Sequence, residues 1–200
     1  MKKRTYFSTV YEYATFKRGT IYNGEKHNIR FNFDRNGWAF RTNWNDLNTE
    51  GSSERTHFTR PNVEASKTFK NNVKILAGAE QERNERRTAD TLTRASFAYD
   101  LWRVGFEKQA SGGVDFGVNY SERFDYQPFA NRFNKISKID ELAIRGNLSK
   151  NPNSVLNWNL TYRDLKVEDS SLTTLRPQTT YLGRIEYNFR YWKEIGRAHV

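Results

Sequence analysis

The sequence predicts an all-β fold, an antiparallel meander of about ten long strands. Three observations carry this. Apolar and polar residues alternate with period two in one segment after another. Short Asn- and Gly-rich turns take turns with longer polar links between those segments. No stretch has the 3.6-residue apolar spacing of an amphipathic helix.

The first segment puts Phe7, Thr9, Tyr11, Tyr13 and Thr15 on one face. The second sets Ile29, Phe31 and Phe33 against Arg30, Asn32 and Asp34. Asn36-Gly37 follows, and both residues tolerate φ > 0, so the pair predicts a tight hairpin. Trp38, Phe40, Thr42 and Trp44 then share a face opposite Ala39, Arg41, Asn43 and Asn45. Residues 61–70 hold Val63, Ala65 and Phe69, with Lys67 on the same side. Val73, Ile75, Ala77 and Ala79 alternate with Lys74, Leu76, Gly78 and Glu80. In residues 92–108 the parity changes between Leu101 and Trp102. Either a β-bulge there or an inverted phase in one half accounts for it.

Four further apolar faces follow: Val114 to Tyr120, Leu142 to Leu148, Leu156 to Tyr162, and Ile185 to Tyr191. The cleanly alternating apolar faces carry no charge, although 28% of the chain is charged. The opposite faces carry Glu12, Arg30, Asp34, Arg41, Lys74, Glu80, Asp115, Arg145, Arg163, Arg184, Glu186 and Arg190. Short turns are expected at 35–37, 70–72, 110–113 and 150–153. Long links are expected at about 17–26, 46–60, 82–91, 127–140 and 167–178. Nothing marks a domain boundary, so residues 1–193 read as one segment.

Composition narrows the field. The 200 residues include no cysteine, which excludes disulfides and cysteine-ligated metals. With 12 Gly and 4 Pro the chain is no collagen-like or flexible low-complexity polymer. Mean hydropathy is −0.92, yet aromatics make up 15%, which argues against disorder. No apolar run is long enough for a transmembrane helix. The net charge of +10 is spread along alternating strand positions. Nucleic-acid binding calls for a patch or stripe, so no nucleic-acid partner is expected.

Strands of this kind suit two architectures. In a soluble sandwich, apolar faces of two sheets pack together. In a transmembrane barrel, the apolar face meets lipid and the polar face lines a lumen. Strand length, the short-turn and long-link alternation, aromatics near strand ends and a polar face of both charge signs favour the barrel. The candidate lipid-facing residues are Ile29, Phe31, Phe33, Phe116, Val118, Trp158, Leu160, Ile185 and Phe189. Candidate interfacial aromatics are Tyr11, Trp38, Trp44, Tyr120, Tyr162 and Tyr191. Candidate lumen-facing residues are Arg30, Arg41, Arg145, Arg163, Arg184, Glu186 and Arg190. Those arginines suit either an anionic solute or a charge-paired wall, and the presence of both signs favours the wall.

The repeated unit of aromatic-rich strand, Asn/Gly turn, second strand and charged link resembles the large Gram-negative outer-membrane barrels, TonB-dependent receptors and their relatives among them. The resemblance is one of pattern and runs to Trp192. It implies the bacterial outer membrane, with lipid and the remaining strands of a larger barrel as partners and a transport, porin-like or receptor role. No plug domain and no TonB box is found. The alternative is a soluble antiparallel sheet protein that binds an anionic polysaccharide or nucleic acid.

The termini fit a segment of a longer chain. Met1-Lys2-Lys3-Arg4 is not followed by the apolar run of a signal peptide. The last seven residues, Glu194 to Val200, resemble the in-frame translation of a common sequencing adapter and read as a non-native tail. Chemistry is sparsely signalled. His27 and His57 read as rim or link residues, and Gly112-Gly113 as a turn. Arg83 to Arg87 reads as a solvated link. Asp169-Ser170-Ser171 and Asn45-Asp46 lack EF-hand spacing. No enzyme activity, cofactor or metal is expected.

Overall fold

Cross-strand pairing links strand to strand from Thr5 to Phe189 in the computed structural model. It describes residues 5–19, 22–109, 114–151, 154–171 and 173–189. The strands are β1 (Thr5–Arg18), β2 (Tyr22–Arg35), β3 (Trp38–Gly51), β4 (Arg55–Thr68), β5 (Val73–Thr88), β6 (Thr91–Leu92), β7 (Phe97–Lys108), β8 (Val114–Phe129), β9 (Arg132–Asn151), β10 (Ser154–Val167) and β11 (Gln178–Phe189). The long strands pair antiparallel in sequence order in one sheet, β5 with β7, and the two-residue β6 folds back on β5. The described residues form no helix.

The sheet is open: β1 and β11 are its two edges and do not pair with each other. It is also a single layer. The only buried apolar residues among those described are Leu76, Leu92, Ala98, Tyr99 and Ile136. The accessible surface is 14727 Å². A folded monomer of this mass is expected to expose about 9,800 Å². No second sheet packs on the first, so the described residues have no sandwich core.

Local chemistry explains the short turns. Asn36 and Gly37 have φ of 52° and 79°, as a two-residue I′ hairpin requires. A side chain at Gly37 would strike the Thr68 carbonyl of β4, so this turn needs glycine for space as well as for φ.

The long links are a correction. Residues 17–18 and 22–26 are strand, as are 46–60 except at 52–54 and 127–140 except at the Ala130-Asn131 turn. Their polar composition reads as loop, but polar side chains that bond across strands support pairing: Glu50 with Arg55, and Asp46 with His57. Among the described residues, 173–177 form the longest stretch outside the strands.

The β7 parity is resolved in favour of an inverted phase. β7 pairs without a register shift against both β5 and β8, so no bulge lies at Leu101–Trp102. The irregularities fall at Asp125/Tyr126 and Ser154/Val155. Trp102, Val104 and Phe106 share the apolar face, and Phe97, Tyr99 and Leu101 lie on the polar one. The switch marks the level at which the apolar face ends.

Candidate functional site: an apolar band and an ion-paired face

The register carries one apolar face across every long strand. Tyr11 pairs with Ile29, Ile29 with Trp44, and Trp44 with Pro61. Ala79 pairs with Trp102, and Val104 with Tyr120. Tyr120 pairs with Leu142, Leu142 with Tyr162, and Tyr162 with Tyr181. Ile29, Phe31, Phe33, Phe116, Val118, Trp158, Leu160 and Ile185 all lie on this face. Its exposure rises to 49% at Leu160 and 74% at Ile185. Trp158 is half-buried because its indole lies flat over Gly146, its partner across β9 and β10.

The apolar stretch is a band with two edges. In β3, β8 and β10 it runs from Trp38 to Trp44, Val114 to Tyr120 and Leu156 to Tyr162. Six residue steps span about 20 Å along a strand. At one edge, aromatic rings turn polar tips toward charged strand ends beyond. Trp102 Nε1 donates to Glu122 at 2.8 Å, and the Tyr120 hydroxyl to Asp140 at 2.8 Å. Tyr11 Oη lies 2.9 Å from His27 Nδ1. Tyr162 packs at a tilt against Tyr181, and Trp44 is followed on its face by Asp46. At the other edge, Trp38 is 54% exposed under Lys67, whose Nζ sits 4.9 Å from the ring centre. Trp102 and Tyr181 were missing from the expected aromatic rows. The parity change hid the first, and the second lies in a stretch of β11 that begins earlier than its alternation suggests.

The opposite face is a lattice of ion pairs. Arg30 binds Glu12 at 3.0 Å, Arg41 binds Asp34 at 2.9 Å, Arg163 binds Glu141 at 2.6 Å, and Arg184 binds Glu186 at 2.8 Å. Arg145 and Lys74 share Glu107. Arg103 binds Glu64 at 2.8 Å and Arg60 binds Glu80 at 2.7 Å. Arg30, Arg41, Arg145, Arg163 and Arg184 therefore each have a carboxylate partner. Each such exposed pair contributes only ~0.2–1 kcal/mol, so the lattice matters more for register than for stability. Arg190 and Tyr191 lie outside the described residues, as does the suspected tail. Phe189 pairs with Ser154 through its backbone, and its side chain is not described.

Beyond the band, the same face becomes charged. Lys138 bridges Glu122 and Asp140, and Lys166 bridges Asp140 and Asp164. Tyr126, Gln81 and Arg83 converge on Asp100 at 2.7, 2.9 and 2.7 Å. Partial burial pushes the Asp140 carboxyl up, but the Tyr120 hydroxyl and the lysine ammoniums outweigh it and hold it below the usual carboxylate range. Asp100 is lowered for the same reason, burial being overcome by Tyr126, Gln81 and Arg83. Near β1–β5 an open recess of about 1020 Å³ is lined by Lys17, Glu25, Glu50, Arg55, His57 and Arg87, among others. Its mixed charges select no ligand class. Among the described residues, no three His, Asp or Glu side chains converge on a metal position.

Comparison with protein-family models and with curated proteins finds no match to the chain.

Proposed function

We propose that this chain is a segment of an outer-membrane β-barrel. The outward apolar band meets lipid hydrocarbon, and the ion-paired face lines a water-filled lumen. One observation carries the reading: a continuous apolar face across ten strands with no layer packed on it. Water-soluble monomers rarely leave an apolar patch of more than a few hundred Å² uncovered. In a bilayer such a band is covered by acyl chains, and rings with polar tips settle at its edges.

The open edges β1 and β11 fit the same reading. Their unpaired main-chain groups cannot stay unsatisfied in hydrocarbon, so further strands of a larger barrel complete the wall. The role proposed for such a wall is transport, porin-like passage or reception. An anionic solute would have to compete with carboxylates that already hold the wall arginines.

The test uses adjacent residues on opposite faces. Leu160→Asp puts a carboxylate into the apolar band, and Asn159→Asp puts one on the polar face. Insertion of the 200-residue chain into lipid vesicles, read as protease protection, is expected to fall sharply for the first and to persist for the second. Equal behaviour of the two variants contradicts the reading.

A further inference from the structure

The two rims of the band differ in charge. The strand ends beyond the Tyr120 row carry both signs. At the short-turn rim the outward face carries Arg35, Lys67 and Lys108, and Lys70 lies in the adjoining turn. Among the described residues, neither that rim nor the turns at 35–37 and 69–72 contain a carboxylate on this side. None of the four cations forms an ion pair among the described residues.

The cations are interleaved with rings. Arg35 and Lys67 are the two cross-strand partners of Trp38, so the indole sits between them. Lys108 is the partner of Phe116. The rim is continuous through backbone hydrogen bonds. Thr68 N donates to Gly37 O at 2.7 Å, and Gln109 N to Asn72 O at 3.1 Å. The Lys67 ammonium donates to Asn36 O at 2.8 Å. Cations on flexible stems can lie along apolar surface and present their charge at its edge.

We propose that this short-turn rim binds anionic phospholipid headgroups. Arg35, Lys67, Lys70 and Lys108 meet the phosphates, and Trp38 and Phe116 lie at ester and upper-chain depth. The proposal rests on the bilayer reading above and names the lipid class for one edge of it. A basic residue close to an anionic leaflet favours association by roughly fivefold. Four of them, unevenly placed, are expected to give at least a tenfold preference.

The experiment compares vesicles of phosphatidylcholine with vesicles containing phosphatidylglycerol, at equal lipid and low salt. The partition of the 200-residue chain is the readout. The expected result is at least tenfold tighter partition into the anionic vesicles. R35Q/K67Q/K70Q/K108Q loses the preference, and R35K/K67R/K70R/K108R keeps it. K17Q/R18Q/R94Q/R176Q removes the same net charge from the other end and also keeps it. Three results overturn the proposal while leaving the bilayer reading intact: equal partition of the unaltered chain, a preference that survives the first variant, or equal loss in the last. Failure to enter either kind of vesicle overturns both.

Discussion

The Tyr120 hydroxyl donates to Asp140 at 2.8 Å across the β8–β9 pair. The ring belongs to the apolar band and the carboxylate to the charged strand ends, so this bond marks the line between them. Tyr120→Phe keeps the ring and removes the donor. A hydrogen bond to a charged, partly buried carboxylate is worth ~1.5–3 kcal/mol. Urea unfolding from vesicles is expected to shift by about that amount, with the position of the band unchanged.

The indole of Trp158 covers the backbone of Gly146 on the neighbouring strand. An aromatic ring laid over a strand glycine replaces the side-chain contacts that glycine lacks. Gly146→Ala pushes the ring off, at a cost of ~1–3 kcal/mol. The Trp158 emission is expected to change with it. An unchanged spectrum and stability would show that the ring does not lean on Gly146.

Acid should loosen the charged strand ends before the band. Asp140 and Asp100 are held below the unfolded carboxylate pKa of about 3.9. Their contribution is therefore present above pH ~4 and is lost as pH falls through their lower folded values. Protection of the amides at residues 97–100 and 134–140, relative to their intrinsic exchange, is expected to fall as the pH drops below about 4. Protection at residues 142–148 is expected to hold.

Ala130 takes a φ of 53° in the two-residue turn between β8 and β9. A non-glycine residue there costs roughly 1–2 kcal/mol. Ala130→Gly should recover about 1 kcal/mol of that, since glycine also loses more entropy on folding. A thermal or urea titration in vesicles reads it directly.

Much of the sheet was legible because period-two alternation reports two unlike surroundings. Ile29, Phe31, Trp158 and Leu160 lie on the face their spacing assigned, and Asn36-Gly37 forms the turn its chemistry demands. The strand ends were not legible. Residues such as Asn48, Glu50, Arg55 and His57 have polar surroundings on the apolar-band side as well, so nothing alternates and the stretch reads as loop. The same physics misled the reading of β7. Above Trp102 the outward positions are Asp100 and Ala98, while Leu101 and Tyr99 turn to the polar face, where the Tyr99 hydroxyl donates to Glu80. The ion pairing of the wall arginines was foreseen only in kind. Its partners, such as Glu107 for Arg145 and Glu141 for Arg163, depend on register that no single strand contains.

The most direct test of the central claim is fractionation of the 200-residue chain refolded from urea without detergent, with and without lipid vesicles. The account predicts sheet structure and protease protection only with vesicles, and sedimenting aggregate without them. A monodisperse, folded β-sheet monomer in detergent-free buffer would contradict it and point instead to a soluble sheet protein.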